Sequence, residues 1–196
     1  MNIKTYLFDF DDTLIDTKIY SEIYQPILEM IKNKLKIEPL PKAQQLGLTK
    51  NRFNRYDTGD LCAELGLLKE YYQILEKKIK VRDVLSNYVI DVLTKLKKRN
   101  KKVAIISNSM KKTIKLYLDK YQLNHFITFI FSKDDAHGQK HQDQYWQTLI
   151  KKHHLNPKDC LVIGDHEHDD ILMPQKFGFN TMLIKNPREL SQVLER

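Results

Sequence analysis

The sequence lacks any long hydrophobic run. None of its apolar stretches approaches the roughly 18 residues that a membrane-spanning helix requires. Its beginning also lacks the basic-then-apolar pattern of a secretory signal, because Asp9, Asp11 and Asp12 interrupt the first apolar stretch. We therefore expect no membrane partner, and we expect the protein to act in the cytoplasm.

Cysteine is scarce as well. The two cysteines, Cys62 and Cys160, lie far apart in the sequence and form no C-x-x-C pair. This spacing argues against a disulfide framework and against a zinc site. The low cysteine content fits a reducing compartment, in agreement with a cytoplasmic location.

Acidic residues are outnumbered by basic ones, and the formal net charge is +8. Such a charge is compatible with nucleic-acid binding or with a lysine-rich solvated surface. The lysines are spread along the chain, and the one dense run, KLKKRNKK at 95–102, ends a predicted amphipathic helix, where cations face the negative end of the helix dipole. This pattern favours the solvated surface over nucleic acid. A positive protein also attracts anionic small substrates.

Short apolar segments alternate with segments of helical periodicity. The predicted strands are YLFDF (6–10), KVAIISN (102–108), FITFIFS (126–132), CLVIGD (160–165) and NTMLI (180–184). The predicted helices are at 85–96, 111–120, 142–154 and 169–177, with a last one from about 187 to the end. This alternation predicts an α/β fold with a Rossmann-like parallel sheet.

One interval breaks the alternation. Residues 17–83 contain no convincing strand, and their apolar residues recur at helical spacing, with prolines and glycines between the helical segments. We predict an all-helical insertion at 17–83, placed after the first strand of a core formed by 1–16 and 84–196.

Polar side chains follow the ends of the predicted strands. In open parallel sheets, ligands bind beyond the carboxyl ends of the strands, so these side chains are expected to converge on one edge. They are Asp9 and Asp11; Ser107 and Asn108; Lys140; and Asp165, Asp169 and Asp170.

The pair Asp9 and Asp11 predicts a metal site. Alternation along a strand would point both carboxylates the same way, where they repel each other unless a cation joins them or one takes a proton. With Asp165 as a third carboxylate, a hard divalent cation, Mg²⁺ by preference, resolves this repulsion. Ser107, Asn108 and Lys140 would then supply the donors and the positive charge that a phosphate group needs.

Four segments together resemble a known family. DFDDT (9–13), IISN (105–108), Lys140 in GQKHQDQYW and IGDHEHDDI (163–171) are similar, in order and spacing, to the four motifs of the haloacid dehalogenase-like (HAD) hydrolase superfamily. The resemblance spans 9–171 and implies the HAD-like fold. D-x-D-x-T alone is only suggestive, whereas four motifs at strand ends are specific.

The resemblance implies a role for each matching residue. Asp9 would be the nucleophile that forms an aspartyl-phosphate, and Asp11 the general acid and base. Mg²⁺ would be held by Asp9, by the backbone carbonyl of Asp11, and by the acidic residues Asp165 and Asp170 of the last motif. The phosphate would be bound by Ser107, Asn108 and Lys140, with Thr13 supporting the loop. Relatives that cleave carbon–halogen bonds lack the second Asp of D-x-D, so Asp11 indicates phosphoryl transfer.

Two motifs depart from the family pattern. The lysine motif usually reads Lys-Pro, whereas here His141 follows Lys140. In the last motif, Asp169 and Asp170 compete for the second acidic position, and the spacing to Ile171 favours Asp170. His166 and His168 suggest a transition-metal site, but two positions apart on a helix they would face different directions.

The helical insertion resembles the α-helical cap of phosphoglycolate phosphatase-like members. Such a cap would exclude water and recognise the leaving group. Its candidate anion-binding residues are Lys50, Arg52, Arg55 and Tyr56, which are equally compatible with an ordinary solvated loop.

Three functions remain open on the sequence. The leading hypothesis is a Mg²⁺-dependent phosphatase acting on a small phosphorylated metabolite. The second is a phosphomutase resembling β-phosphoglucomutase, since water and a sugar hydroxyl would compete for the same intermediate. The third is a non-catalytic binding or regulatory protein on this fold, which would be expected to lack one of the four motif residues Asp9, Asp11, Lys140 or Asp165.

Overall fold

A parallel β-sheet forms the centre of the protein. The computed structural model describes residues 3–51 and 53–195. In this part of the chain the strands are β1 (Thr5–Phe8), β2 (Lys102–Ser107), β3 (Phe129–Ser132), β4 (Cys160–Gly164) and β5 (Asn180–Leu183). They pair in parallel in the order β3-β2-β1-β4-β5. The predicted α/β fold with a Rossmann-like sheet is confirmed.

Strand β1 is the middle strand because its sequence is apolar on both faces. All four residues of the TYLF segment are buried. Phe8 is in register with Ile105 of β2 and with Ile163 of β4. Leu7 belongs to a buried cluster that also contains Ile106, Phe131 and Trp146. The residues that follow β1 therefore emerge between the ends of two neighbouring strands.

The chain divides into two compact units. The core unit runs up to Asp16 and resumes at Val84, and the insertion unit is Thr17–Asp83. In the described residues of the insertion unit, the elements are helices α1 (Lys18–Leu35), α2 (Pro39–Gln45), α3 (Thr58–Glu64) and α4 (Leu68–Val81). Helix α1 buries Ile19, Ile23, Ile27 and Ile31 at the spacing of one face, and it packs against α4.

The helices of the core unit connect the strands. They are α5 (Asn87–Lys98), α6 (Lys111–Lys120), α7 (Lys133–Ala136), α8 (Asp143–His153) and α9 (Met173–Lys176). Short 3₁₀ segments occur at Asn124–Phe126 and Pro157–Asp159, a π-helical segment at Glu167–Leu172 precedes α9, and the described chain ends with a 3₁₀ segment at Pro187–Glu195.

Several element boundaries differ from the predicted ones. Strand β1 ends at Phe8 rather than at residue 10, because the chain turns there and Leu14 and Ile15 both donate backbone hydrogen bonds to the carbonyl of Phe10. Strand β3 begins at Phe129, after a 3₁₀ segment. The helix predicted at 169–177 is divided between the π-helical segment Glu167–Leu172 and the short helix α9, and the helix predicted beyond 187 is the 3₁₀ segment Pro187–Glu195. Lys140, expected to begin a helix, lies in a turn before α8.

Three cations of the basic run bind backbone carbonyls of other segments. Lys97 donates to the carbonyl of His125 at 3.0 Å, Arg99 to that of Leu194 at 2.5 Å, and Lys101 to that of Ile3 at 2.6 Å. These side chains therefore tie the end of α5 to three distant parts of the core unit.

Cys62 and Cys160 are buried free thiols. Burial raises the pKa of Cys62 to about 12 and that of Cys160 to about 11. Within the described residues, the helices are too short or too polar to span a bilayer.

Candidate active site

The buried ammonium group of Lys140 joins two carboxylates at the centre of the sheet edge. Its Nζ donates to Asp9 Oδ1 in a short hydrogen bond and to Asp170 Oδ1 at 2.8 Å. Asp9 directly follows β1, and its N–H donates to the carbonyl of Ile163 in β4 at 2.7 Å. The Lys140 side chain is 1% exposed. The three charged groups are therefore held together where water has little access.

Three carboxylates form a cluster suited to a divalent cation. Asp9, Asp165 and Asp170 each offer an oxygen, and these oxygens lie within 4.8 Å of one another. A purely oxygen donor set of this kind matches the preference of Mg²⁺. The residues present therefore fit the predicted cation. Asp11 is not part of this carboxylate cluster, which is consistent with a contribution through its backbone carbonyl.

Gly164 makes room for Asp170. A Cβ atom at position 164 would lie 2.2 Å from Asp170 Oδ2 and 2.6 Å from Asp170 Cβ. Because the side chain's base as well as its tip is in the way, no rotamer change would relieve this overlap. The glycine of the last motif thus allows Asp170 to pack directly on the end of β4.

The motif's two candidate acids occupy different places. Asp170 is buried, contacts Lys140 and accepts the N–H of His166 at 3.0 Å. Asp169 instead accepts a hydrogen bond from Asn108 Nδ2 at 3.0 Å and contacts His168 Nδ1 at 2.9 Å. Both residues lie on the π-helical segment, and because consecutive residues of a helix face different directions, the two side chains contact separate partners.

The histidines of this motif do not join a metal-binding group. His166 and His168 are exposed. His166 Nδ1 accepts the N–H of Asp169 at 3.2 Å, and His168 contacts the Asp169 carboxylate. Among the described residues, the group with metal-binding geometry is Asp9, Asp165 and Asp170.

The backbone of Lys140 is fixed on both sides. Its N–H donates to Asn108 Oδ1 at 2.8 Å, and its carbonyl accepts from the buried Trp146 Nε1 at 2.7 Å. Asn108 therefore uses both ends of its side-chain amide, one on Lys140 and one on Asp169. These contacts hold the turn without the proline that the family pattern usually has, and the exposed His141 occupies that position instead.

Ser107 and Thr13 are both buried. Thr13 Oγ1 donates to Asp9 Oδ2 at 3.2 Å, so Lys140 and Thr13 contact different oxygens of that carboxylate. Ser107 is the last residue of β2, and its hydroxyl accepts the N–H of Ser109 at 2.9 Å. The Thr13 hydroxyl thus contacts Asp9 directly, and its predicted part in supporting the phosphate-binding loop stays a prediction.

Asp11 is placed by the turn after β1 rather than by strand alternation, because β1 ends at Phe8. The alternation expected for Asp9 and Asp11 is therefore wrong as a structural reason for their proximity. Asp11 Oδ2 accepts a hydrogen bond from Ser109 Oγ at 2.5 Å. Ser109 did not enter the predicted site, although it lies only two residues after Ser107.

The electrostatics of the site follow from burial and close charges. Burial raises the pKa of Asp9 well above its ordinary value; the Lys140 ammonium works against this rise, and the charges of Asp170 and Asp11 add to it. Burial acts to lower the pKa of Lys140, but the charges of Asp170 and Asp9 raise it above its ordinary value. Lys140 is therefore cationic, and a further cation would favour the ionised form of Asp9.

Lys50, Arg55 and Tyr56, the candidate residues of the insertion unit that the structure describes, lie between α2 and α3. Lys50 and Tyr56 form an isolated antiparallel bridge, and Lys50 Nζ lies 5.5 Å from the centre of the Tyr56 ring. Arg55 is exposed, and its guanidinium carbon lies 5.1 Å from the centre of the Tyr24 ring. Arg52 lies outside the described residues.

The family model described as haloacid dehalogenase-like hydrolase matches residues 6–184. The chain belongs to this family. The match covers the sheet, the insertion and all four motifs, so the predicted superfamily is confirmed, and the protein is a HAD-family hydrolase.

Individual relatives are distant. The chain is 26% identical over 188 residues to Pyrophosphatase PpaX of Oceanobacillus iheyensis, a match that covers 94% of this chain and 84% of the relative. The magnesium-bound HAD-hydrolase YfnB from Bacillus subtilis has a TM-score of 0.67 at 20% identity and full coverage of both chains. A HAD phosphatase from Thermococcus onnurineus has a TM-score of 0.75 at 18% identity and 98% coverage of both chains. These two structures support the HAD fold.

Proposed function

We propose that this HAD-family hydrolase is a Mg²⁺-dependent phosphatase that acts on small phosphorylated compounds through an aspartyl-phosphate. The observation that carries the proposal is the position of Asp9. Its carboxylate contacts Lys140 and Thr13 and lies within 4.8 Å of the Asp165 and Asp170 oxygens. A carboxylate so held is suited to attack phosphorus, and with Asp165 and Asp170 it would hold a divalent cation that offsets negative charge.

Each residue has a distinct task in the proposed reaction. An oxygen of Asp9 attacks phosphorus, the bond to the leaving oxygen breaks, and Asp11 delivers a proton to that oxygen. Water then attacks phosphorus of the aspartyl-phosphate while Asp11 takes its proton. The bond between phosphorus and the Asp9 oxygen breaks, so that inorganic phosphate leaves and the carboxylate of Asp9 is regenerated. Ser107 donates a hydrogen bond to the transferring phosphoryl group, while Lys140 offsets negative charge on it. Asp9, Asp165, Asp170 and the carbonyl of Asp11 would hold Mg²⁺, which supplies charge neutralisation.

Asp11 separates phosphoryl transfer from dehalogenation. A departing halide is a stable anion and needs no proton, whereas most alkoxide leaving groups do. A hydrogen-bonded carboxyl group beside the nucleophile is therefore useful for cleaving phosphate esters.

The proposed substrates are phosphate esters and inorganic pyrophosphate. The relatives named pyrophosphatase favour testing inorganic pyrophosphate, although their identity to this chain is only 23–26%. The net charge of +8 favours anionic small molecules in general. We assign the insertion unit the role of a cap, with Lys50, Arg52, Arg55 and Tyr56 as candidates for substrate recognition.

The test is hydrolysis by purified protein with Mg²⁺ or with EDTA. Substrates are p-nitrophenyl phosphate, inorganic pyrophosphate and a set of sugar phosphates, with product analysis to detect transfer to a sugar instead of to water. Asp9→Asn is expected to lose at least about 10³-fold in rate. Asp91→Asn, which changes an exposed carboxylate of α5, serves as the matched control. Absence of turnover by the wild type on every substrate would refute the proposal.

A further inference from the structure

Ser109 bonds to two functional residues at once. Its hydroxyl donates to Asp11 Oδ2 at 2.5 Å, and its backbone N–H donates to Ser107 Oγ at 2.9 Å. It lies in the segment between β2 and α6, and all three residues belong to the core unit. One side chain and one amide therefore connect the proposed acid with the proposed phosphate-binding hydroxyl.

The hydrogen bond from the Ser109 amide to Ser107 Oγ leaves the hydroxyl proton of Ser107 available for another acceptor. A serine hydroxyl carries one donor and two acceptor positions. Because Ser107 Oγ accepts from the Ser109 amide, its own proton remains available for another acceptor. Ser107 is fully buried at the end of β2. A phosphoryl oxygen placed beside it would receive that proton in a hydrogen bond.

The bond to Asp11 suits an acid that changes protonation state. The Ser109 hydroxyl donates to the carboxylate form and is able to accept from the carboxylic acid form. It therefore contacts Asp11 before and after proton transfer. Fixing Oδ2 also fixes the rotation of the carboxyl group, and hence the direction in which Oδ1 points. Proton transfer is sensitive to that direction.

We propose that Ser109 is a positioning residue that orients Asp11 through its hydroxyl, so that protonation of the leaving oxygen depends on it. This inference rests on the proposed function. When the phosphorus–oxygen bond breaks, the electron pair stays on the leaving oxygen, which takes the Asp11 proton. A p-nitrophenolate departs as a stable anion without the proton, whereas an alkyl oxygen requires it.

The experiment compares leaving groups. Rates of Ser109→Ala, Ser109→Thr and the wild type are measured on p-nitrophenyl phosphate and on glycerol phosphate, with Mg²⁺ present. We expect Ser109→Ala to lower kcat for glycerol phosphate by about 10–100-fold and for p-nitrophenyl phosphate by about threefold or less, since general acid catalysis contributes about 10²–10⁴. Ser109→Thr, which keeps the hydroxyl, is expected to stay within about threefold of wild type on both.

Two controls separate positioning from general damage. Ser191→Ala removes an exposed hydroxyl that bonds a backbone carbonyl in the last 3₁₀ segment, and it is expected to change neither rate. In an Asp11→Asn background, Ser109→Ala is expected to have no further effect on the ratio of the two rates, because the acid is already lost.

The outcomes distinguish this inference from the proposed function. If the wild type hydrolyses none of the phosphate substrates, pyrophosphate included, the proposed function fails and the inference fails with it. If it hydrolyses pyrophosphate but neither ester, the inference alone is overturned. If the wild type hydrolyses both and Ser109→Ala lowers both rates by the same factor, or leaves both unchanged, the inference alone is overturned. The same holds if its leaving-group effect persists in the Asp11→Asn background.

Discussion

The amide nitrogen of Asn108 donates to Asp169 Oδ2 at 3.0 Å, while its amide oxygen accepts the N–H of Lys140 at 2.8 Å. Partial burial acts to raise the pKa of Asp169, but the contacts with His168, His166 and Asn108 lower it. Asp169 thus anchors the amide that fixes the backbone of the site lysine. Asp170 contacts Lys140 Nζ directly, whereas Asp169 acts on the backbone N–H of Lys140 through Asn108.

This relationship predicts different effects for two changes at Asp169. Asp169→Ala leaves the Asn108 amide unanchored and is expected to lower kcat about tenfold, the equivalent of one hydrogen bond. Asp169→Asn keeps an oxygen acceptor and is expected to stay within about threefold. Steady-state kinetics with Glu167→Ala, an exposed acid of the same π-helical segment, provide the comparison. Equal losses for Glu167→Ala and Asp169→Ala would contradict this role.

The close approach at Gly164 predicts a severe effect of a single methyl group. In Gly164→Ala the new Cβ would overlap Asp170 along its whole side chain, so the contact with Lys140 is lost. We expect a fall of at least about 10²-fold in kcat, as for a displacement of about 1 Å at a reacting centre. Thermal unfolding is expected to show a loss of about 1–3 kcal/mol from overpacking.

Gly138→Ala is the matched control for this prediction. There the added Cβ would meet Gln142 Oε1 at 2.5 Å, the tip of an exposed side chain that is able to rotate away. Its activity is expected to remain close to that of wild type. Normal activity of Gly164→Ala would show that Asp170 tolerates displacement.

The carboxylate cluster predicts stabilisation by Mg²⁺. Bringing Asp9, Asp165 and Asp170 within 4.8 Å stores repulsion that a bound cation relieves. At about ten times its Kd, Mg²⁺ is expected to raise Tm by about 3–5 °C. Asp165→Asn is expected to lose most of this shift, whereas Asp143→Asn, an exposed residue of α8, should keep it. Differential scanning fluorimetry over a Mg²⁺ series checks the prediction, and an unchanged shift in Asp165→Asn would contradict it.

The hydrogen-bonded carboxylate of Asp135 is expected to make the stability of the fold fall at acidic pH. Its carboxylate is 9% exposed and accepts from Lys111 Nζ, Lys152 Nζ and both donors of Ser132. Partial burial acts to raise its pKa, but these bonds lower it far below the ordinary value. Because the folded-state pKa is depressed, its contribution is complete above the unfolded pKa of about 3.9 and is lost as the pH falls below that value.

Asp135→Asn is therefore expected to lower the free energy of unfolding by about 1–2 kcal/mol at pH 7, with the difference from wild type shrinking below about pH 4. Urea unfolding at several pH values measures this. Asp91→Asn removes an exposed pair with Lys95 and should cost only about 0.3–0.5 kcal/mol. A loss for Asp135→Asn that does not change with pH would show that packing, not charge, is responsible.

The sequence predicted the fold well because its signals are local. Apolar runs of strand length alternate with helical periods, and the sheet topology then brings the strand ends to one edge. Asp9, Ser107 and Asp165 follow or end β1, β2 and β4, which are neighbours. The positions of these residues at strand ends are therefore sufficient to predict that they converge.

Other parts of the site depend on contacts that have no periodic signal. The bond of Ser109 to Asp11 joins residues 98 positions apart in the sequence. The bond of Trp146 to the Lys140 carbonyl, six positions earlier, matches neither the helical nor the strand period. The hydrophobic pattern does not indicate the π-helical bonding at Glu167–Leu172. In the sequence, only the spacing to Ile171 distinguishes Asp170 from Asp169. The turn after Phe8, which ends β1 early, is likewise set by backbone hydrogen bonds.

The junction between the two units has an architectural consequence. Asp16 donates its N–H to the carbonyl of Val84 at 2.8 Å, and Ile15 and Leu85 form an antiparallel bridge. The chain thus leaves the core unit and rejoins it at one place, where the two segments are hydrogen-bonded to each other. Because the described strands lie outside the insertion unit, a change in its length or sequence is expected to leave the strand pairings of the sheet unchanged. We therefore expect this insertion to be the part of the chain that is most open to variation in length and sequence.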